Sequence, residues 1–176
     1  MTNKPHPDGT YSLEFWDPSH IRWNELKELA QHLGDSPYTF FDEELTSFYA
    51  CVAISLTDEI IGYHSLLVQP IGPEMGIAEV QDRHGNTLQE VKIRGLRVLE
   101  AWRNRGIGTE LQKLTLQKAA ELGVFQVRSR SGRGKVENYS IKINLGFACH
   151  PDLRTFRDGS TAEGVYWVKR VNLSKS

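Results

Sequence analysis

Arg103-Asn104-Arg105-Gly106-Ile107-Gly108-Thr109 is the stretch on which the fold turns. It stands between the run Leu96, Arg97, Val98, which reads as a strand, and a segment whose Ile107, Leu111, Leu114, Ala119 and Leu122 fall close to one helical face. Gly123 follows that segment as a helix stop. The order is strand, glycine turn, helix. The first turn of such a helix has several N–H groups with no intrahelical partner, so it attracts an anion. Gly106 and Gly108 let the main chain come close to a phosphate, and Arg103 and Arg105 add charge. A P-loop would need a lysine and a hydroxyl after its last glycine, and a dinucleotide fingerprint a third glycine; Thr109 and Glu110 satisfy neither. A tight strand-to-helix connection flanked by solvated arginines is the plainer alternative.

Upstream, Tyr11–Trp16 reads as a short strand, and Pro18 and Ser19 open a helix with Ile21, Leu26, Leu29, Ala30 and Leu33 on one face, ended by Gly34. The apolar runs Phe48–Leu56 and Ile60–Val68, separated by Thr57, Asp58 and Glu59, predict a buried hairpin. Pro70–Asn86 is broken by glycines and Pro73 and reads as a long excursion with a small hairpin about His84, Gly85 and Asn86. In the strand that follows, Val91 and Ile93 are odd-numbered but Leu96 and Val98 even. That one-residue slip predicts a β-bulge near Gly95. Downstream come a strand at Val124–Arg128, a helix at Val136–Leu145 stopped by Gly146, a strand beginning at Phe147–Cys149, and a last strand at Val165–Val171. The middle portion is a right-handed βαβ crossover.

The 176 residues suit one ordinary domain, and the net charge of −1 leaves no global field for nucleic acid or an anionic membrane. Cys51 and Cys149 lie far apart without a metal or redox spacing and read as reduced thiols. The six histidines show no metal-ligand spacing, so no metal is expected. No uncharged stretch reaches membrane-spanning length and the N-terminus lacks an apolar leader core, which predicts a cytoplasmic protein.

The signature formed by Arg103, Gly106 and Gly108 resembles that of the GNAT (Gcn5-related N-acetyltransferase) superfamily. Leu96–Trp102 resembles that family's fourth strand and its turn into the cofactor helix. Asn144-Leu145-Gly146-Phe147 is similar to its Gly-Phe motif, and Tyr166-Trp167-Val168 to its last strand. The resemblance implies an α/β fold with a mixed, mostly antiparallel sheet of about seven strands, a bulged and splayed fourth strand, and flanking helices. It places a single domain over residues 11–174 after a flexible stretch at 1–10. It implies acetyl-CoA as co-substrate, held by Leu96, Arg97 and Val98 along the pantetheine and by Arg103, Asn104, Arg105, Gly106, Ile107, Gly108 and Thr109 at the pyrophosphate. Asn138 is a further pantetheine contact under this resemblance, with helix capping as its alternative.

The implied reaction is direct attack of a neutral amine on the thioester, with a backbone N–H near Val98 facing the oxyanion. The family's glutamate base aligns with Lys92, so Glu90, one pleat away, is the candidate base. The family's tyrosine acid aligns with Lys142; Tyr139, one turn earlier, is the candidate acid, with Lys142 or water as alternatives and packing as the plain role of Tyr139. Arg128, Arg130, Arg133 and Lys135 form a basic loop that meets the CoA 3′-phosphate, solvent, or RNA. The acceptor is the amine of a small molecule, shaped by the 70–86 excursion, or of a peptide or protein entering between turns at Thr57–Glu59 and Arg157–Thr161. A non-catalytic CoA-binding module is the competing reading, prompted by Lys92 and Lys142. A homodimer through exposed strands is a further expectation the resemblance carries.

Overall fold

The computed structural model describes residues 4–5, 10–35, 47–132, 134–155 and 158–171. The chain divides into two compact units, Met1–Gln69 with Ile93–Lys118, and Pro70–Lys92 with Ala119–Ser176.

In the first unit, β1 (Lys4–Pro5), β2 (Tyr11–Trp16), β3 (Phe48–Ser55), β4 (Ile60–Pro70) and the second half of β5 (Gln89–Val98) lie side by side in chain order. β1 pairs antiparallel with β2, a strand within the stretch expected to be flexible. β2 pairs antiparallel with β3 from Tyr11↔Ser55 to Trp16↔Ala50, and β3 with β4. The continuous apolar run of β3 reflects burial on both faces. Phe48, Ala50, Val52 and Ile54 join Trp23, Leu26 and Ala30 of α1 (Trp23–His32) in one cluster. Cys51, on the opposite face, reaches Thr115 of α2 (Ile107–Glu121), Sγ to Oγ1 3.4 Å.

Two boundaries differ from the sequence reading. Ile21, expected on the buried face of the first helix, is 94 % exposed, and Trp23 is buried instead. The Asp17 carboxylate accepts from the Ser19 amide at 2.8 Å, which folds residues 17–20 into a turn and delays the helix. Leu122, expected on the apolar face of α2, is 40 % exposed because it already belongs to the turn closed by Gly123; Gln112 and Thr115 are buried on the helix instead.

In the β3–β4 hairpin Ala53 faces Gly62 but Ile54 faces Ile60, so Ile61 is an extra residue. Its carbonyl accepts from the Leu99 amide at 2.9 Å, just past the end of β5. Next to it, a Cβ on Gly62 would stand 3.0 Å from the Arg97 carbonyl oxygen and 3.5 Å from the Val98 Cα. Gly62→Val is therefore expected to destabilise the fold by about 1–3 kcal/mol through overpacking. Thermal unfolding checks this: an unchanged midpoint would mean that β4 and β5 part at no cost.

In the second unit the order is the first part of β5, up to Lys92, then β6 (Gln126–Gly132), β8 (Thr161–Arg170) and β7 (Ala148–Thr155). β5 and β6 run parallel, Glu90–Lys92 against Gln126–Arg128, and the other pairs are antiparallel. The last strand thus returns between β6 and β7. α3 spans Val136–Asn144, and Gly146 beyond it has φ +74°. The excursion carries a 3₁₀ turn at Pro73–Met75 and the expected small hairpin, with Gln81 bridged to Thr87 around the Asp82–Asn86 turn. No helix among the described residues is long and apolar enough to cross a membrane.

Candidate cofactor and catalytic site

The Leu96–Thr109 segment lies wholly in the first unit. After β5 a 3₁₀ turn at Glu100–Trp102 leads to Arg103, and α2 begins at Ile107, whose buried side chain anchors it. Between them Asn104 has φ +61° and Gly106 φ +78°. These left-handed residues curl the chain so that the Thr109 and Glu110 amides return to the Gly106 carbonyl at 2.9 and 3.1 Å. Among the described residues, the amides of Asn104, Arg105, Gly106 and Ile107 make no hydrogen bond to the main chain. They stand at the positive end of a fifteen-residue helix.

The arginines flank this turn differently. Arg103 donates from Nε to the Val98 carbonyl at 3.2 Å, tying the turn to the end of β5. The Arg105 guanidinium lies over the Trp102 ring at 4.8 Å. Arg97 binds Asp35, which also accepts from the Tyr63 hydroxyl. The Arg97 guanidinium is thus committed to the segment that ends α1. Asp35 and Tyr63 went unnoticed in the sequence, where nothing links positions so far apart.

The remaining candidates lie in the second unit, and Glu90 is not the edge carboxylate the sequence suggested. It is 0 % exposed, accepts from Arg128 Nε at 2.9 Å to each oxygen and from Arg128 Nη2 at 2.6 Å, and receives Gln126 Nε2 at 2.9 Å. The carboxylate is thus held in the interior by Arg128 and Gln126 rather than solvated at a strand edge. Arg128, expected in a basic loop, is 3 % exposed within β6. Arg130 pairs with Asp152 and donates to the Ala162 carbonyl at 2.8 Å. Lys135 is exposed, and Arg133 and Arg157 lie outside the described residues.

Lys92, where the family's base aligns, is 6 % exposed and bonds Glu74 at 3.1 Å. Burial, and next the Arg128 guanidinium, push its ammonium below the usual lysine range against the pull of Glu74. The Tyr139 hydroxyl donates to the Gly132 carbonyl at 3.3 Å and its ring meets Trp167 edge-on at 5.1 Å, a packed arrangement. Asn138 does not cap α3; it donates to Ser131 Oγ at 3.1 Å. Lys142 is 1 % exposed, with Nζ 4.7 Å over the Phe147 ring, and burial pushes it down to about 7.

Residues 12–130 match the model of the acetyltransferase (GNAT) family. No curated relative matches the chain. Among solved structures, NAA60 of Arabidopsis thaliana in complex with acetyl-CoA aligns at TM-score 0.71 and 16 % identity over 93 % of this chain and 99 % of that one. An IAA acetyltransferase from Bacillus cereus aligns at 0.63 and 16 % over 92 % and 99 %. The ribosomal-protein-S18-alanine N-acetyltransferase from Escherichia coli aligns at 0.62 and 12 % over 93 % and 97 %. At such identities the likeness is one of fold. The family match, however, spans more than half of the sequence and contains both the Leu96–Val98 strand and the Arg103–Thr109 turn, so the chain belongs to the acetyltransferase (GNAT) family.

Proposed function

We propose that the protein transfers an acetyl group from acetyl-CoA to a primary amine, of a small molecule or of a peptide or protein, by direct attack within a ternary complex. The Arg103–Thr109 turn carries this reading: two left-handed residues expose consecutive amides at a helix N-terminus beside two arginines, a fit for a pyrophosphate. Arg103, Asn104, Arg105, Gly106, Ile107, Gly108 and Thr109 hold the pyrophosphate. The β5–β6 ladder stops at Lys92, so Leu96, Arg97 and Val98 keep main-chain groups for pairing with the extended pantetheine. Asn138 is assigned to the pantetheine only if it exchanges its bond to Ser131 for one to the ligand.

When bound, acetyl-CoA supplies the thioester and, at the end, a thiolate leaving group. The chain's part is to position that thioester, and a main-chain amide near Val98 faces the developing oxyanion. Proton transfer is left to water or to Lys142, since Glu90 is closed by Arg128 and the Tyr139 hydroxyl is bound to Gly132. Those same two observations favour a second reading, a module that binds CoA without turnover.

Calorimetric titration with acetyl-CoA tests the proposal. The double variant Arg103→Ala/Gly108→Trp is expected to bind at least about 100-fold more weakly, having lost charge-assisted contacts and gained an indole at the anion site. An unresponsive wild type would overturn the cofactor assignment. CoA release over a panel of amines separates the enzyme from the module.

A further inference from the structure

Lys92, Arg128, Glu90, Glu74 and Tyr166 form a charged cluster in the second unit that the acyl-transfer reading does not use. Two cations meet two carboxylates there, but the two acids are held in unlike ways. Glu90 is 0 % exposed on β5. Glu74 belongs to the exposed Pro73–Met75 turn of the excursion, between Gly72 at φ +125° and Gly76 at φ +74°. Its side chain is 32 % exposed, against 7 % for Lys92 and 3 % for Arg128. One Glu74 oxygen meets Lys92 Nζ at 3.1 Å and the other Arg128 Nη2 at 2.7 Å.

Without Glu74, one positive charge would remain uncompensated among buried groups, which is costly unless another anion takes its place. The hydrogen bonding points the same way. Arg128 Nη1 is buried and has no hydrogen-bond partner among the described residues, so Glu74 leaves a donor of this guanidinium unused. The Tyr166 ring walls the cluster, 5.2 Å from Lys92 Nζ and 5.5 Å from Arg128 Cζ. Lys92 stands on β5 four residues before Leu96, where the pantetheine is proposed to pair.

We propose that Lys92 and Arg128 are the seat for a carboxylate carried by the acceptor amine, an amino acid or similar small molecule, and that Glu74 occupies this seat in the acceptor's absence. This rests on the acyltransfer reading of the chain. The ligand's carboxylate replaces that of Glu74 between the ammonium and the guanidinium and takes up Nη1 as well. The excursion then sets acceptor specificity through an exchange of carboxylates.

The experiment compares the twenty amino acids with their decarboxylated amines, by thermal shift and by CoA release, in the wild type, Glu74→Gln and Lys92→Met. Glu74→Gln keeps the shape of the turn but removes the competing charge. It is expected to strengthen binding of at least one amino acid about tenfold over the wild type, with no gain for the matching amine. Lys92→Met is expected to abolish the preference for the carboxylate. If no amino acid stabilises Glu74→Gln more than its decarboxylated partner does, the seat is refuted, whether or not turnover is seen. Acetyl-CoA titration of the same three proteins keeps the two proposals apart. Retained cofactor binding without carboxylate discrimination overturns the seat alone, whereas a wild type that ignores acetyl-CoA overturns the reading beneath it.

Discussion

Replacing Arg128 with methionine is expected to lower the free energy of unfolding by about 3–5 kcal/mol, because it strands a buried charge. Glu90 is 0 % exposed, and three of the bonds that hold its carboxylate come from this one guanidinium. With Arg128 gone, Gln126 Nε2 remains as a neutral donor at 2.9 Å, and Glu74 loses its 2.7 Å partner as well. Removing both ends of the ion pair should cost much less. Glu90→Leu with Arg128→Met trades two desolvated charges for apolar volume, and is expected to recover most of the loss. Denaturant unfolding of the three proteins reads this directly from the midpoints, provided the slope is unchanged. If Arg128→Met unfolds with the wild type, the carboxylate finds water in the folded protein and the clamp contributes no stability.

The contrast between Arg103 and Arg128 shows which parts of this protein can be read from sequence. The Arg103–Thr109 turn is local: glycine spacing, adjoining arginines and the periodicity of α2 all lie within about twenty residues and follow from backbone sterics and helix-end chemistry. The hairpin of β3 and β4 and the stops at Gly34, Gly123 and Gly146 are legible for the same reason, each with φ near +70°. Arg128 has no such local frame. Four basic residues close together look like a solvated loop, but parallel pairing sets Arg128 beside Lys92 and Gln126 beside Glu90, and β6 continues through Gly132. Register decides burial here, and register between strands separated by a helix leaves no mark in either segment. Glu74 was hidden similarly: one acid in a glycine-bounded turn gives no sign of the strands it will reach. Ile21 failed for a third reason, since the turn made by Asp17 overrode the helical period.

Lys142→Met is expected to stabilise the protein at pH 7 by about 3 kcal/mol and to flatten its pH dependence above neutrality. Burial pushes this ammonium from 10.5 down to about 7. The unfolded chain therefore holds more protons than the folded one between about pH 7 and 10.5, and stability rises with pH across that window. The cost of the buried lysine is complete below about 7 and gone above 10.5. Between pH 7 and 10 the wild type should gain about 4 kcal/mol that the variant does not, at about 1.4 kcal/mol per pH unit. The substitution removes this one titrating group, so the difference between the two profiles isolates Lys142. Methionine fills a similar volume beside Phe147 and forfeits the attraction of the ammonium to that ring, which reduces the gain at pH 7. Parallel profiles would show that the ammonium is solvated in the folded state. Turnover measured on the same variant then divides the roles of this lysine. A stability gain coupled to lost CoA release makes Lys142 the donor to the departing thiolate, a costly charge kept for chemistry. A stability gain with unchanged release makes it a packed stem, and leaves protonation of the thiolate to water.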